Sequence, residues 1–393
     1  MRQSRPFALA ATLAALALAG CSTVQVSGPA GPEVAEPAPV VSAHWRFDDA
    51  TRPPAERDGY RPPTRLAVLL PLSGDLATAA GPVRDGLLAG YYGERRRRPD
   101  IGFYDTAGTP WGAVEAYRRA LAEGADQVLG PLGRDEVEAL FAQGEPSVPV
   151  LALNRAGEPP ANAGSYALAP EDEGTAAADW LLSQGARRVL VLSSGDDNAR
   201  RSIDALRARL QAQGGDVAQL LAVVGETPPD LIGPMQAAVQ AGGGVDAVFM
   251  ALRGPQARLA AAQVSAAGLA GRPRVATSQL LSGTGNAEED AALDGIAFPS
   301  DAWSASGVAG LPSAQALGST LPTARGPAAR LFAFGYDAWL LTAYLDHLAA
   351  HPEASVASAS GTLRMGGDGH VLRAPAWSTF RGGHVVPLAA AAR

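Results

Sequence analysis

Lysine is missing from this sequence, so all 32 of its basic side chains are arginine, against 39 acidic ones and a formal net charge of −7. The absence of lysine excludes a P-loop phosphate site, a Schiff-base enzyme and a lysine general base. The acidic balance argues against a nucleic-acid partner, because binding phosphates requires a basic face. Nucleophile elbows, zinc-ligand spacings and Gly-rich dinucleotide fingerprints are missing too. The sequence therefore predicts no catalytic centre, no metal site and no cofactor.

Cysteine occurs once, so the protein cannot form an internal disulfide and must be stabilised by its core. Cys21 follows two arginines and an apolar run over residues 7–18, the pattern of a secretory signal that is too short for an ordinary membrane span. The tetrapeptide LAGC, which ends at Cys21, resembles the bacterial lipobox, whose cysteine becomes the lipidated first residue. We therefore expect residues 1–20 to be a lipoprotein signal peptide and Cys21 to carry the lipid. An ordinary signal peptide with a chance cysteine is the alternative.

The destination of the lipid anchor depends on the residue after Cys21. Signals that retain a lipoprotein in the inner membrane typically have aspartate there, whereas this chain has Ser22. By this resemblance we expect the protein to be anchored at the periplasmic face of the outer membrane.

Residues 21–63 are rich in proline, alanine and valine, a composition that predicts an extended tether. At about 3.1 Å per residue in the polyproline conformation, it could reach on the order of 100 Å. Its exception is the aromatic cluster His44–Phe47. We predict that this cluster docks on the globular part; contact with a partner is the alternative.

Strands and helices alternate from Arg65 onward, which predicts two sheets of the α/β kind. Predicted for the first sheet are strands at residues 66–70, 101–104, 127–130 and 148–153, with helices at 81–97, 112–123 and 134–141. Predicted for the second are strands at 188–193, 217–223, 247–252 and 274–278, with helices at 172–184, 199–213, 231–241 and 255–267. A short run at 295–298 leads into a low-complexity loop at 299–325, a long helix at 327–350 and an antiparallel hairpin or meander at 361–388.

Two such sheets with late crossings predict a bilobal α/β protein: two doubly wound parallel sheets joined by crossovers. The predicted first lobe consists of residues 64–167 plus 300–355, and the second lobe of residues 168–299 plus 356–393.

Four short motifs carry a family resemblance: PLSG at 71–74, YDT at 104–106, LGPL at 129–132 and LALN at 151–154. Together with the lipobox they resemble the type I periplasmic-binding-protein fold, and within it the LppC/LpoA group of lipoprotein activators of penicillin-binding proteins. The resemblance covers about residues 64–390. Members of that group carry a helical-repeat domain ahead of this one, where this chain has the tether. An activity that needs the helical domain is therefore not implied.

In this fold, ligands bind between the lobes at the carboxyl ends of parallel strands, where backbone amides and helix N-termini are exposed. The candidate cleft residues are Ser73, Gly74, Asp105, Thr106, Gly133, Arg134, Asn154 and Ser194. Amino-acid-binding relatives place a hydroxyl residue where this chain has Gly133 and Arg134. Arg134 could replace it as a carboxylate clamp, or begin a helix with its side chain in solvent. Ser73 and Asp105 could equally cap local turns.

Three functions remain open. The resemblance implies a non-enzymatic outer-membrane lipoprotein that binds and activates a class A penicillin-binding protein, with peptidoglycan as a further expected contact. The loop at 299–325 and the cleft rim are the predicted contact surfaces. The alternative is a lipid-anchored periplasmic solute-binding protein for an amino acid or related ligand, gripped by Ser73, Thr106 and Arg134. A structural cell-wall lipoprotein with a degenerate binding fold is the third.

Overall fold

The computed structural model describes residues 44–48, 50, 52–225 and 229–388, which belong to one compact unit. The signal peptide, Cys21 and the tether before residue 44 lie outside the described residues. The first lobe contains β1 Arg65–Leu70, α1 Ala77–Gly93, β2 Asp100–Asp105, α2 Pro110–Ala122, β3 Gln127–Leu129, α3 Arg134–Phe141, β4 Val150–Ala152 and β5 Ala163–Ser165. Its strands form a parallel sheet in the order β2-β1-β3-β4-β5.

Strand β1 explains how this sheet becomes the centre of a three-layer lobe. Leu66, Val68 and Leu70 face one core, which α1 completes, whereas Ala67 and Leu69 face a second core with α2 and α3. Since successive strand residues point to opposite faces, an uninterrupted apolar run is what a sheet covered on both sides requires. The predicted strand and its burial are confirmed.

Helix α1 begins four residues before its predicted start and ends at Gly93 rather than Arg97. The prediction started the helix next to Pro82, but Pro82 is accommodated inside it. At the other end, the backbone of Glu94 is extended, so the helix stops before it. The Glu94 carboxylate accepts a hydrogen bond from Arg96.

The second lobe contains α4 Pro170–Ser183, β6 Arg188–Ser193, α5 Asp197–Ala212, β7 Asp216–Ala222, α6 Ile232–Gln240, β8 Ala247–Ala251, α7 Gly254–Ala266, β9 Arg274–Ala276, α8 Ala287–Asp290 and β10 Ala297–Ser300. Then follow α9 Ala302–Ser306, α10 Ala314–Thr320, α11 Ala328–Ala350, β11 Val356–Ala357, β12 Gly361–Met365, β13 Val371–Arg381 and β14 His384–Pro387. The second sheet has the order β11-β12-β13-β10-β9-β8-β6-β7, with β14 also paired to β13.

The second sheet corrects one part of the predicted fold class, because it is mixed rather than purely parallel. Strands β6 to β10 are parallel, but β13 pairs antiparallel with β10, β12 and β14. The predicted hairpin at 361–388 is confirmed. Its first strand follows the crossover from α11 and its second is long enough, at 11 residues, to reach both β12 and β10. The hairpin therefore extends the sheet instead of lying apart from it.

The long helix α11 returns to the first lobe and packs along α1. Five apolar residues were predicted to recur at helical spacing in this helix. Phe334, Ala338, Leu341 and Leu345 lie in the first lobe's core, whereas Leu331 is partly buried against it. Leu363, Met365 and Val371 of the hairpin join the same core. The two lobes thus share apolar contacts near the crossovers, and the predicted lobe boundaries stay a prediction.

The segment predicted as a low-complexity loop, 299–325, is instead largely structured: it holds the end of β10, α9, α10 and a short 3₁₀ helix at Pro322–Ala324. Trp303 is buried there, stacks on Phe332 and donates its indole N–H to the Pro312 carbonyl at 2.7 Å. The Ser313 hydroxyl caps α10 by accepting from Ala316 N. In this segment serine caps a helix and alanine occupies helix positions.

The aromatic cluster His44–Phe47 docks on the first lobe, as predicted. Trp45 is buried in the main core, and its ring lies over Gly164 of the edge strand β5. The His44 carbonyl accepts from Asn162 N at 2.6 Å, and Arg46 N donates to the Asn162 side chain. These contacts cover one edge of the first sheet. Residues 52–63, at the end of the predicted tether, also contact this lobe through the buried Arg52 and Tyr60.

Replacing Trp45 with alanine should lower the free energy of unfolding by about 3 kcal/mol, because a large buried aromatic side chain is lost and a cavity remains. Trp111 provides the matched control, since its side chain is 70% exposed at the start of α2. Urea denaturation followed by tryptophan fluorescence and circular dichroism measures both. Equal stabilities of the Trp45→Ala and Trp111→Ala variants would show that the docked cluster contributes nothing to the fold.

Within the described ranges, none of the helices combines the length and the apolarity that crossing a membrane requires.

Candidate functional site

The predicted cleft residues at the ends of the first two strands lie together, and they form hydrogen bonds with one another. The Asp105 carboxylate accepts hydrogen bonds from the Ser73 hydroxyl at 2.7 Å and from the backbone N–H groups of Leu72, Ser73 and Ala107. The Ser73 hydroxyl bond, followed by these amides, lowers the pKa of Asp105. Gly74 has a φ of +79°, and a Cβ there would lie 2.7 Å from the Ala107 carbonyl oxygen. The two loops after β1 and β2 are therefore one interlocked turn.

The buried Glu136 fixes the loop after the third strand. Its carboxylate accepts from Gly133 N at 2.5 Å, and the neighbouring Thr106 is fully buried. Burial raises the pKa of Glu136. A side chain at position 133 would overlap the Glu136 carboxylate, which explains why glycine stands there. Sequence analysis missed Glu136, although an acid three residues after a helix start is a known capping signal.

Three further candidates are separated from this cluster. Arg134 is exposed at the first position of α3. The pKa of Asp197 in the other lobe is lowered mainly by its hydrogen bond from Arg200, and the charge of Arg134 is the smallest of the causes that lower it. Asn154 donates to the Leu132 carbonyl and caps its own turn through Arg155 N. The Ser194 hydroxyl donates to Asp196. Ligand binding by the predicted cleft residues stays a prediction.

A larger cavity lies elsewhere, beside the segment that leads from β10 to α11. It has a volume of about 660 Å³ and is bounded by the loop after β9, the end of β10 and the first turns of α4 and α11. A smaller cavity of about 280 Å³ adjoins it through Leu168, Pro170, Asn198 and Leu331, and Asn154 lines this smaller one. A volume of this size is within the range of small-molecule sites.

A buried ion pair forms one wall of the large cavity. Glu173 of α4 accepts from Arg330 of α11 at 2.5 Å, and it also accepts from the Ser278 backbone and hydroxyl at 2.8 and 2.7 Å. Arg330 donates to the same hydroxyl. Although desolvation opposes it, the arginines Arg330 and Arg373 keep the pKa of Glu173 below its usual range. The pair bridges the two lobes, because α11 packs on the first lobe and α4 on the second.

Sequence analysis did not predict this cavity. Arg330 and Glu173 are 157 residues apart, so no local pattern indicates their contact. One signal was available, since Asp301 directly follows the carboxyl end of β10, and Asp105 lies at the carboxyl end of β2. Among the described residues, no group of three or more His, Cys, Asp or Glu side chains is placed to hold a metal ion.

A comparison with known protein families identifies the chain. The sequence profile of the family described as "LppC putative lipoprotein" matches residues 59–383, which is most of the sequence. The chain belongs to the LppC family. A penicillin-binding protein activator LpoA from Mannheimia succiniciproducens is 26% identical to this chain over 338 residues, and the match covers 82% of this chain. The chain spans 55% of the length of that relative.

Solved structures show the same fold. The LpoA (YraM) C-domain from Haemophilus influenzae, a regulator of PBP1A, matches 83% of the LppC-family chain and all of its own length, with a TM-score of 0.68 and 21% identity. A branched-chain amino acid ABC transporter structure from Chromobacterium violaceum matches 81% of the chain and all of its own length, with a TM-score of 0.64 and 27% identity. The predicted bilobal, periplasmic-binding-protein-like fold and the predicted family are confirmed.

Proposed function

We propose that this chain is an outer-membrane lipoprotein that binds a class A penicillin-binding protein and activates it. The observation that carries the proposal is the family match over residues 59–383, together with relatives named as activators of penicillin-binding proteins over 82% of the chain. The lipobox at Cys21 supports a lipid anchor at the periplasmic face, and Ser22 supports the outer membrane. Peptidoglycan is a further proposed contact. Regulation is proposed to work by differential affinity for the active conformation of the synthase.

The site geometry favours this proposal over the solute-binding alternative. Of the residues predicted to grip a ligand, Ser73 donates its hydroxyl to Asp105, Thr106 is fully buried, and Arg134 is exposed at a helix start. A binding protein that used these residues would have to break the interlocked turn first.

The rim of the first lobe offers a surface for the synthase. Leu72 and Leu76 in the loop after β1 are exposed, and Gly108 beside Leu76 leads to the exposed Trp111. Exposed apolar residues that lie close together often mark protein contacts. We therefore propose that these residues are the part of the cleft rim that contacts the synthase. Helices α9 and α10, which lie in the segment 299–325, are the second proposed surface.

Co-purification with bifunctional synthases, followed by a glycan-polymerisation assay, tests the proposal. The full chain should bind one class A synthase and raise its rate of polymerisation several-fold. Trp111→Ala should weaken both effects without changing the stability of the chain, and Trp180→Ala serves as a control at a tryptophan of the second lobe, stacked on Trp377. Absence of both binding and stimulation with every class A synthase of the same cell would exclude the function.

A further inference from the structure

The outer edge of β7 is a surface that the activator function leaves unused. This strand ends the second sheet, and among the described residues it pairs only with β6. We propose that it is the contact surface for a second copy of this chain, which adds its own β7 antiparallel to the first. Self-association through β7 is independent of the activation of a synthase.

The backbone groups on the outer side of β7 have no strand to pair with in the described part of the chain. Val223 N donates to Ser193 O of β6 at 2.7 Å, so this N–H group points inward. Because successive residues of a strand point their amide groups to alternate sides, those of Leu220 and Ala222 point outward. An edge of this kind is a template for a further strand, bound mainly through its main chain.

The other edge strands of the two sheets are protected, whereas β7 is not. Strand β2 begins and ends with an exposed aspartate, β11 has two residues, and β14 has four and ends at Pro387. The edge of β5 is covered by His44 and by the tip of the β12–β13 hairpin. Charge, short length, proline and cover all hinder strand addition. Strand β7 has seven residues, and neither proline nor an ionisable side chain occurs from Val217 to Gly225.

Exposed apolar side chains lie along the same edge. Leu220 is 44% exposed, and Val224, just after the strand, is 71% exposed, whereas Leu221 and Val223 pack into a core of the second lobe. In an antiparallel pair of copies aligned at Leu220, each Leu220 lies opposite its counterpart, and such cross-strand apolar pairs stabilise a sheet. The pairing that satisfies the outer backbone groups therefore also buries exposed leucine.

The charges around β7 favour a second copy of the chain over a charged partner. Helices α5 and α6 contact this strand, and α6 has no ionisable side chain. The four arginines of α5 each form an ion pair with an acid of the same chain: Arg200 with Asp197, Arg201 with Glu171, Arg207 with the exposed Asp204, and Arg209 with Asp179. Although the net charge is −7, two copies can approach along this edge without opposing unbalanced charges.

A two-fold axis at Leu220 makes the contact self-complementary, because both copies use the same strand. Such a contact closes after two subunits, so the expected assembly is a dimer and not a filament. Strand addition buries a small interface, and we expect a dissociation constant on the order of 100 μM.

Sedimentation velocity of the full chain carrying Cys21→Ser measures this association. Cys21 is the only cysteine, so its replacement removes lipidation and disulfide formation as causes of pairing. The weight-average sedimentation coefficient should rise from the monomer value at about 1 μM toward the dimer value at about 1 mM. A value that stays monomeric at the highest concentration, or that continues past the dimer, would contradict the proposal.

Leu220→Arg and Val385→Arg form a matched pair of variants, because the two side chains are 44% and 46% exposed on β7 and β14. Leu220→Arg places like charges opposite each other and should weaken dimerisation about tenfold or more, whereas Val385→Arg should leave it unchanged. Ala222→Pro removes an outward N–H group that the pairing with β6 does not use, and it should weaken dimerisation similarly. This variant keeps the test decisive if Leu220→Arg does not fold.

Leu220→Cys, combined with Cys21→Ser, locates the two-fold axis. Paired Cα atoms of antiparallel strands lie about 5.5 Å apart, which is within the reach of a disulfide. Mild oxidation should therefore link Leu220→Cys into a dimer about tenfold faster, or more, than Val385→Cys. Equal rates, or folded Leu220→Arg and Ala222→Pro variants that dimerise like the wild type, would overturn the proposal. None of these measurements contains a synthase, so their failure would leave the activator function untouched.

Discussion

Gly86→Ala should lower the free energy of unfolding by about 2–3 kcal/mol, although alanine is the better helix former by about 1 kcal/mol. A Cβ at Gly86 of α1 would lie 1.9 Å from the carbonyl oxygen of Phe332, and one at Gly335 of α11 would lie 1.9 Å from that of Val83. Both obstacles are backbone atoms, so the helices must separate to make room. Gly335→Ala should therefore cost a similar amount. Urea denaturation of the two variants against the wild type measures it.

Each of the two glycines faces the backbone of the other helix, so a double variant provides a further test. Each mutation demands the same separation of α1 from α11, so the double variant should lose less stability than the sum of the single losses. Gly93→Ala is the matched control in the same helix, since its nearest contact would be an ordinary 3.7 Å. It should change stability by no more than about 1 kcal/mol, in the favourable direction. A Gly86→Ala variant as stable as Gly93→Ala would show that the helices are not in close contact.

These glycines also show where prediction from the sequence stops. The apolar spacing of Phe334, Ala338 and Leu341 was enough to predict α11 and its buried face, because helical periodicity is local. That α11 crosses α1 at Gly86 and Gly335 depends on the return of the chain after more than two hundred residues. A glycine in a helix pattern does not by itself indicate what approaches it.

The candidate site, too, could be predicted from the sequence only in part. Asp105 was correctly placed at the carboxyl end of a strand, because that position follows from parallel topology alone. Local capping by Ser73 and Asp105 was one of the alternatives, but neither their bond to each other nor the buried Glu136 beneath Gly133 was predicted. The cavity at Asp301 was not predicted, because the segment around it was predicted as a loop and the ion pair Glu173–Arg330 joins distant parts of the sequence.

Polar contacts at the crossovers join the two lobes and thereby bear on any conformational mechanism of activation. Arg155, which follows β4, donates to Asp172 of α4 at 2.8 Å and to the Val371 carbonyl at 3.0 Å. The Glu173–Arg330 pair makes a second tie. The tip of the β12–β13 hairpin makes a third, where Ser165 N donates to Gly369 O and the Ser165 hydroxyl binds His370. A synthase that favours one arrangement of the lobes would have to act against or through these ties.

A further tie is Asp337, which is fully buried in α11 and joins the segment after β5 to the segment before β12. Its carboxylate accepts from Tyr166 OH at 2.8 Å, from Ala359 N at 2.6 Å and from Ser360 N at 3.0 Å. An amide in its place has one acceptor oxygen and an NH₂ group that cannot accept, whereas both oxygens of a carboxyl group can accept even when one carries a proton. We expect Asp337→Asn to destabilise the protein by about 2–4 kcal/mol near pH 5, whereas Asp204→Asn should not.

The pH dependence separates Asp337 from an ordinary packing defect. Burial raises its pKa from 3.8 to about 6. Between these values the folded state binds more protons than the unfolded one, so the stability that Asp337 contributes is complete below pH 4 and is lost as the pH rises through about 6. A shift of this size corresponds to about 3 kcal/mol. The stability difference between wild type and Asp337→Asn should therefore narrow from pH 4.5 to pH 7.5 in parallel urea denaturation series. A constant difference over this range would mean that Asp337 is ionised in the folded protein throughout.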